Sequence, residues 1–233
     1  MGGLLYGYEQ GKRRILPGPL KMLTNATARE FGENLPGAYA LLPSGVYFSS
    51  VHDINHPLVS FDNSSSFTQE RLHYGNMVGN LNELYNYLMG VEGREKPFPE
   101  ILSRANVLNP NMIEIAHETH MQIDGWTPPS TMQLHQIAGW GEETLAGIKN
   151  QSFPVVNGFG STDIHTPDLV LDGDGTVLVP SALWVSTSTE NVHRWWVNLN
   201  NYNNRFPFSI LYLDVTHSDI LEIPQFRDFI KNI

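Results

Sequence analysis

The hydrophobic period of this chain changes at Trp126-Thr127-Pro128-Pro129, and that change limits the folds open to it. Before the break, Met77, Leu81, Leu84, Tyr85 and Leu88 recur every three or four residues, as the apolar stripe of a helix does. Ile101, Ala105 and Leu108 suggest a second stripe, and Met112, Ile115, Ala116, Thr119 and Ile123 a third. Earlier still, Lys21 to Leu41 reads as a helix broken at Pro36, and Tyr47 to Ser66, rich in His, Asn and Ser, reads as loop. After the break the runs are shorter. Gln133 to Ala138 ends at Gly139, Phe153 to Phe159 and Leu169 to Leu171 suggest a hairpin excursion, and Phe208 to Val215 is continuously apolar, as in a buried strand. Ile220, Phe226, Phe229 and Ile230 return to helical spacing. The pattern predicts an α/β chain in which a largely helical region, residues 1–130, precedes the strands and final helix of residues 131–233.

Composition narrows the partners. The chain has 233 residues with 24 Asp plus Glu against 14 Lys plus Arg, a net charge of −10, and its one basic cluster is Lys12, Arg13 and Arg14. Phosphate backbones are repelled by such a balance, so nucleic acid is not an expected partner. With no cysteine there is no disulfide framework, thiolate zinc site or cysteine nucleophile. Met1 to Leu5 is too short for a secretory h-region, and no apolar run reaches the roughly 18 residues that span a bilayer. The expectation is a soluble chain without signal peptide or transmembrane segment. The sequons at Asn25, Asn63 and Asn150 then read as chance.

Two loops offer an acid and a base where strand signals stop. In Asp172-Gly173-Asp174-Gly175-Thr176-Val177 the glycines permit a sharp turn with a carboxylate at its apex. Thr216-His217-Ser218-Asp219 follows the apolar run Phe208 to Val215 directly. Strand ends hold side chains rigidly at the rim of a sheet, where open α/β sheets place their ligands. An aspartate at one rim and a histidine at a later one have the order of the acid and base in an acyl-transfer triad.

Four segments, taken in order, resemble landmarks of α/β-hydrolases of the lipase and lecithin:cholesterol acyltransferase type. They are Leu35-Pro36-Gly37-Ala38-Tyr39-Ala40-Leu41-Leu42-Pro43-Ser44, Gln136-Ile137-Ala138-Gly139-Trp140-Gly141, Gly173-Asp174-Gly175-Thr176-Val177 and His217-Ser218-Asp219-Ile220-Leu221. The resemblance implies that Asp174 is the triad acid and His217 the general base, with residues 1–130 forming a cap or lid and the rest the C-terminal part of the hydrolase core. It also implies ester hydrolysis or acyl transfer on a hydrophobic, lipid-like ester, with no cofactor. The family's nucleophile sits in a Gly-x-Ser-x-Gly elbow, and no such pentapeptide occurs in these 233 residues. The expectation is therefore an incomplete hydrolase: first strands, elbow serine and oxyanion hole are missing, and the chain alone is inactive. A sheet without its central strands would expose edges that invite pairing or aggregation. Two alternatives stand beside this one, a noncatalytic binding module and one subunit of a split hydrolase whose partner chain supplies the serine.

Other candidates have plainer readings. Asp172 competes with Asp174 for the acid role. Calcium in the glycine loop fails the EF-hand pattern, because the third and last ligand places counted from Asp172 hold Thr176 and Leu183. His117, His120 and Asp124 share a helix face but lack the i, i+4 histidine spacing of zinc proteases, so a polar face is expected and no metal. Trp195 and Trp196 point to opposite sides of a strand, so at least one is expected in the core while pocket lining remains open to the other.

Overall fold

The structure, a computed structural model, describes residues 33–94, 107–155, 161–186, 190–203 and 217–232. The expected strand Phe208 to Val215, the start of the Lys21 to Leu41 helix, Ile101 and Ala105 of the second stripe, and the basic cluster lie outside the described residues. Helices and strands are both present, with parallel pairing in both sheets, and the protein is of the α/β type. It divides into two units, one of residues 1–125 and 146–168, the other of residues 126–145 and 169–233. The boundary between them falls at Gly125 and Trp126, beside the change of period, but residues 146–168 belong with the first unit.

In the first unit the core gathers around two helices. Helix α1 is a single turn, Pro36–Tyr39, and α2 spans Thr68–Tyr74. Helix α3, Leu81–Met89, starts because the Asn80 side chain accepts the Glu83 amide at 3.0 Å while the Glu83 carboxylate accepts the Gly79 amide at 2.8 Å. It stops at Gly90, whose φ of 64° is left-handed. It buries Leu84, Tyr87 and Leu88. Helix α4, Pro110–Ile123, is capped by Asn109, has Pro110 at its first position, and buries Ile113 and Ala116. The stripe expected from Ile115 and Ile123 is offset from the one observed, for Ile115 is 60% exposed. The inner line runs through buried Ile113 and Ala116 and half-buried His117 and His120, so the face expected to be polar lies beside the core while Ile115 and Ile123 face outward.

The segment expected as loop, Tyr47 to Ser66, contains two regular elements and the start of a third, the 3-10 turn Ser65–Phe67. Tyr47–Val51 is one π-helical turn, closed by the His52 amide on the Tyr47 carbonyl at 2.7 Å, and Val59–Phe61 is strand β1. Three residues are too few to show a period, and pairing supplies what pattern cannot. Strand β1 runs parallel to β3, Thr144–Pro154, with Val59 opposite Ile148 and Phe61 opposite Asn150. Strand β4, Ser161–Val170, completes the order β1-β3-β4. Strand β3 begins nine residues before the expected Phe153, because its buried positions include Thr144, Ala146, Gly147 and Asn150, which carry little hydrophobic signal.

The second unit is built on a parallel pair. Strand β2, Leu134–Trp140, and strand β5, Val192–Asn198, match residue for residue from Leu134 opposite Val192 to Trp140 opposite Asn198. One face meets the short helix α5, Val179–Ala182, and the chain after it: the Gln136 amide donates to the Trp184 carbonyl at 3.1 Å and the Arg194 guanidinium to the Leu183 carbonyl at 2.9 Å. On the other face Ile137 and Val197 pack against a cluster of Leu199, Ile223 and Phe226. Leu199 precedes the one-turn helix α6, Asn200–Asn203, and Phe226 lies in the last helix, α7, Pro224–Asn232. The core position expected for one of Trp195 and Trp196 is not observed. Trp196 is 64% exposed, and Trp195 rests at the surface against Phe229, ring centroids 4.5 Å apart.

Candidate active site

Asp174 and His217, forty-three residues apart, meet in the second unit. The acid comes from the loop between β4 and α5. Gly175 takes a φ of 86°, open to a residue without a side chain, and the turn closes with the Asp174 amide on the Val177 carbonyl at 3.2 Å. One carboxylate oxygen of Asp174 accepts the amides of Thr176 at 3.1 Å and Val177 at 2.8 Å. The other accepts Nδ1 of His217 at 2.7 Å. A carboxylate has no proton to give, so Nδ1 carries the hydrogen and Nε2 is the nitrogen left for chemistry. The Asp174 side chain is 4% exposed and that of His217 51%, which puts the anion inside and the imidazole at the surface.

Backbone contacts fix the pair independently of the side chains. The His217 amide donates to the Asp174 carbonyl at 3.1 Å. His217 opens a 3-10 turn, His217–Glu222, that Ile220, Ile223 and Phe226 anchor on the Leu199 cluster. The acid loop is tied to the chain just past β2: Gly141 donates to the Leu171 carbonyl at 2.8 Å and Glu142 to the Gly173 carbonyl at 3.1 Å. Asp174 therefore stands just beyond the carboxyl end of a parallel strand, the rim where such sheets bind ligands.

The remaining candidates separate from this pair. Asp172 is exposed and only its backbone carbonyl is engaged, by the Val179 amide at 3.0 Å. For a calcium loop the obstacle is chemical, since both oxygens of Asp174 are already occupied by N–H donors. His117 packs its ring on Tyr85 and His120 stands 3.7 Å from Asp124, and no group of three metal-binding side chains occurs among the described residues. Among the described residues no helix is long and apolar enough to cross a membrane.

Three features were not legible in the sequence. Thr144 and Glu142 support the acid loop, and Asn203 donates to the Glu142 carboxylate at 2.5 Å. The first unit holds a second aspartate and histidine pair: Asp168 accepts Nδ1 of His56 at 3.1 Å and, on its other oxygen, the Lys149 ammonium at 2.8 Å. Here the lysine already neutralises the carboxylate, the arrangement of a structural ion network. His135 and His193 lie opposite each other on β2 and β5 and stack at 4.8 Å. All three depend on pairings across long stretches of chain, which spacing in the sequence does not report.

A parallel strand pair flanked by helices, with a buried carboxylate bonded to a surface imidazole beyond its carboxyl end, makes this an α/β protein with a hydrogen-bonded aspartate and histidine at a strand end. Comparison with protein-family models, with curated proteins and with solved structures finds no match.

Proposed function

We propose that the second unit is the C-terminal part of an α/β-hydrolase core and that Asp174 and His217 are the acid and base of a serine esterase, lipase or acyltransferase. The observation that carries this reading is the 2.7 Å bond from Nδ1 of His217 to the buried Asp174 carboxylate. That bond fixes the tautomer, orients the ring and stabilises the imidazolium formed when Nε2 takes a proton. The acid precedes the histidine in the chain, as in α/β-hydrolases. The four segments resembling the lecithin:cholesterol acyltransferase type add the substrate class, a hydrophobic ester. Residues 1–130 then serve as the helical cap, a role that rests on the resemblance alone.

In the reaction, a serine hydroxyl attacks the ester carbonyl while Nε2 of His217 accepts its proton. The same nitrogen returns that proton to the leaving alcohol, and water or an acceptor alcohol resolves the acyl-enzyme. No Gly-x-Ser-x-Gly elbow occurs in these residues, so the serine and oxyanion donors come from outside them. Without those groups most of the acceleration is absent.

The test is hydrolysis of short-chain and long-chain p-nitrophenyl esters. The chain is assayed alone and after fusion to, or co-expression with, an elbow-bearing segment encoded beside it. The expected result is no rate above buffer for the chain alone, activity for the combined protein, and a loss of roughly 10⁶-fold in kcat for His217→Ala. Activity of the combined protein that survives His217→Ala removes the assignment. Activity of the chain alone that needs His217 places the nucleophile among its own serines.

A further inference from the structure

Thr144 is the one side chain that engages both neighbours of Asp174 among the described contacts, and it is fully buried, with 0% of its surface exposed. Its Oγ1 accepts the Gly175 amide at 2.8 Å and donates its single proton to the Glu142 carbonyl at 2.9 Å. The Glu142 amide, in turn, donates to the Gly173 carbonyl at 3.1 Å. On the near side of the acid, Gly173 lies flush against the threonine: a Cβ there would fall 2.4 Å from Oγ1 and 2.7 Å from Cγ2. Asp174 is thus held between two glycines that both bear on one hydroxyl-bearing side chain.

We infer that Thr144 is a positioning residue, setting where the Asp174 carboxylate stands against His217. The inference rests on the acid and base reading of that pair. A hydroxyl with one proton and an available lone pair is satisfied at both ends here, so its rotation is fixed. Valine fills nearly the same volume but offers neither group, so the Gly175 amide and the Glu142 carbonyl, both part-buried, lose the partner that ties them together. The turn then loses its tie on the C-terminal side of the acid. A carboxylate bonded at 2.7 Å leaves little room for displacement before that bond weakens.

The test is proton NMR of the full chain, following the low-field resonance of the His217 Nδ1 hydrogen, assigned by its disappearance in His217→Gln. Thr144→Val is expected to lose the resonance while the remaining spectrum keeps its dispersion, and Thr144→Ser, which restores the hydroxyl, to retain it. A resonance that persists in Thr144→Val, or is lost from a folded Thr144→Ser, overturns the assignment. Should Thr144→Val not fold, exchange of the Gly175 amide in the unsubstituted chain decides. Slowing by about tenfold or more against a free peptide supports the tie, and unhindered exchange overturns it. Failure of the underlying pair has a different signature: the resonance is missing from the unsubstituted chain, or survives Asp174→Ala, and the role of Thr144 falls with it.

Discussion

Tyr74 and Tyr47 are the residues at which burial most changes the chemistry of a side chain in the first unit. Tyr74 lies under Phe61 and Tyr87, and its hydroxyl donates to the Glu92 carbonyl. Removal from water, with Glu92 nearby, pushes its pKa up to about 12. Tyr47 reaches about 12 by burial, with a smaller contribution from Asp53. In the unfolded chain both ionise near 10.0. The unfolded state therefore releases protons first, and stability that is complete below pH 10 declines as pH rises through about 12. The decline is expected to be on the order of 2 kcal/mol per tyrosine. Guanidinium midpoints at pH 9 and pH 11.5, with Tyr74→Phe alongside, check it. The substituted chain should show the smaller fall, and equal falls would mean that Tyr74 ionises freely in the folded protein.

At the level of elements, the start of α3 permits a direct test of what holds a helix end. Asn80 and Glu83 satisfy two amides reciprocally across the first turn, at 3.0 Å and 2.8 Å. Asn80→Ala is expected to lower stability by about 1 kcal/mol and Asn80→Ser by much less, read from denaturant midpoints. The sequence made this helix legible through its apolar stripe, with which the cap and terminal glycine of the structure agree. The same holds for the acid loop, where two glycines frame a carboxylate, and for His217 as a candidate base. It failed where burial falls on residues that are not hydrophobic. Thr144, Gly147 and Asn150 are buried positions of β3 that do not mark it as a strand, and the three residues of β1 become a strand only through β3. In α4 the inner face carries half-buried His117 and His120 beside Ile113, while Ile115 and Ile123 face outward, so the amphipathic pattern misleads. The contact between Asp174 and His217 is a product of folding that no local pattern contains.

For the whole molecule, charge is the property that acts at a distance. A chain with a net charge of −10 gathers cations and keeps polyanions away. Fluorescence anisotropy with a labelled duplex DNA at about 50 mM salt is expected to show no binding, although low salt favours such contacts most. Saturable binding that weakens with salt would reveal a local basic surface that the overall charge conceals. The two units also share the chain unevenly. It leaves the second unit after Leu145 and re-enters it at Leu169, while Gly141 and Leu171 are joined by a 2.8 Å hydrogen bond. The intervening residues thus form a detour whose neck is stapled shut before the acid loop begins. The staple joins the two points where the chain departs and returns, so the acid loop starts from a place set within the second unit itself.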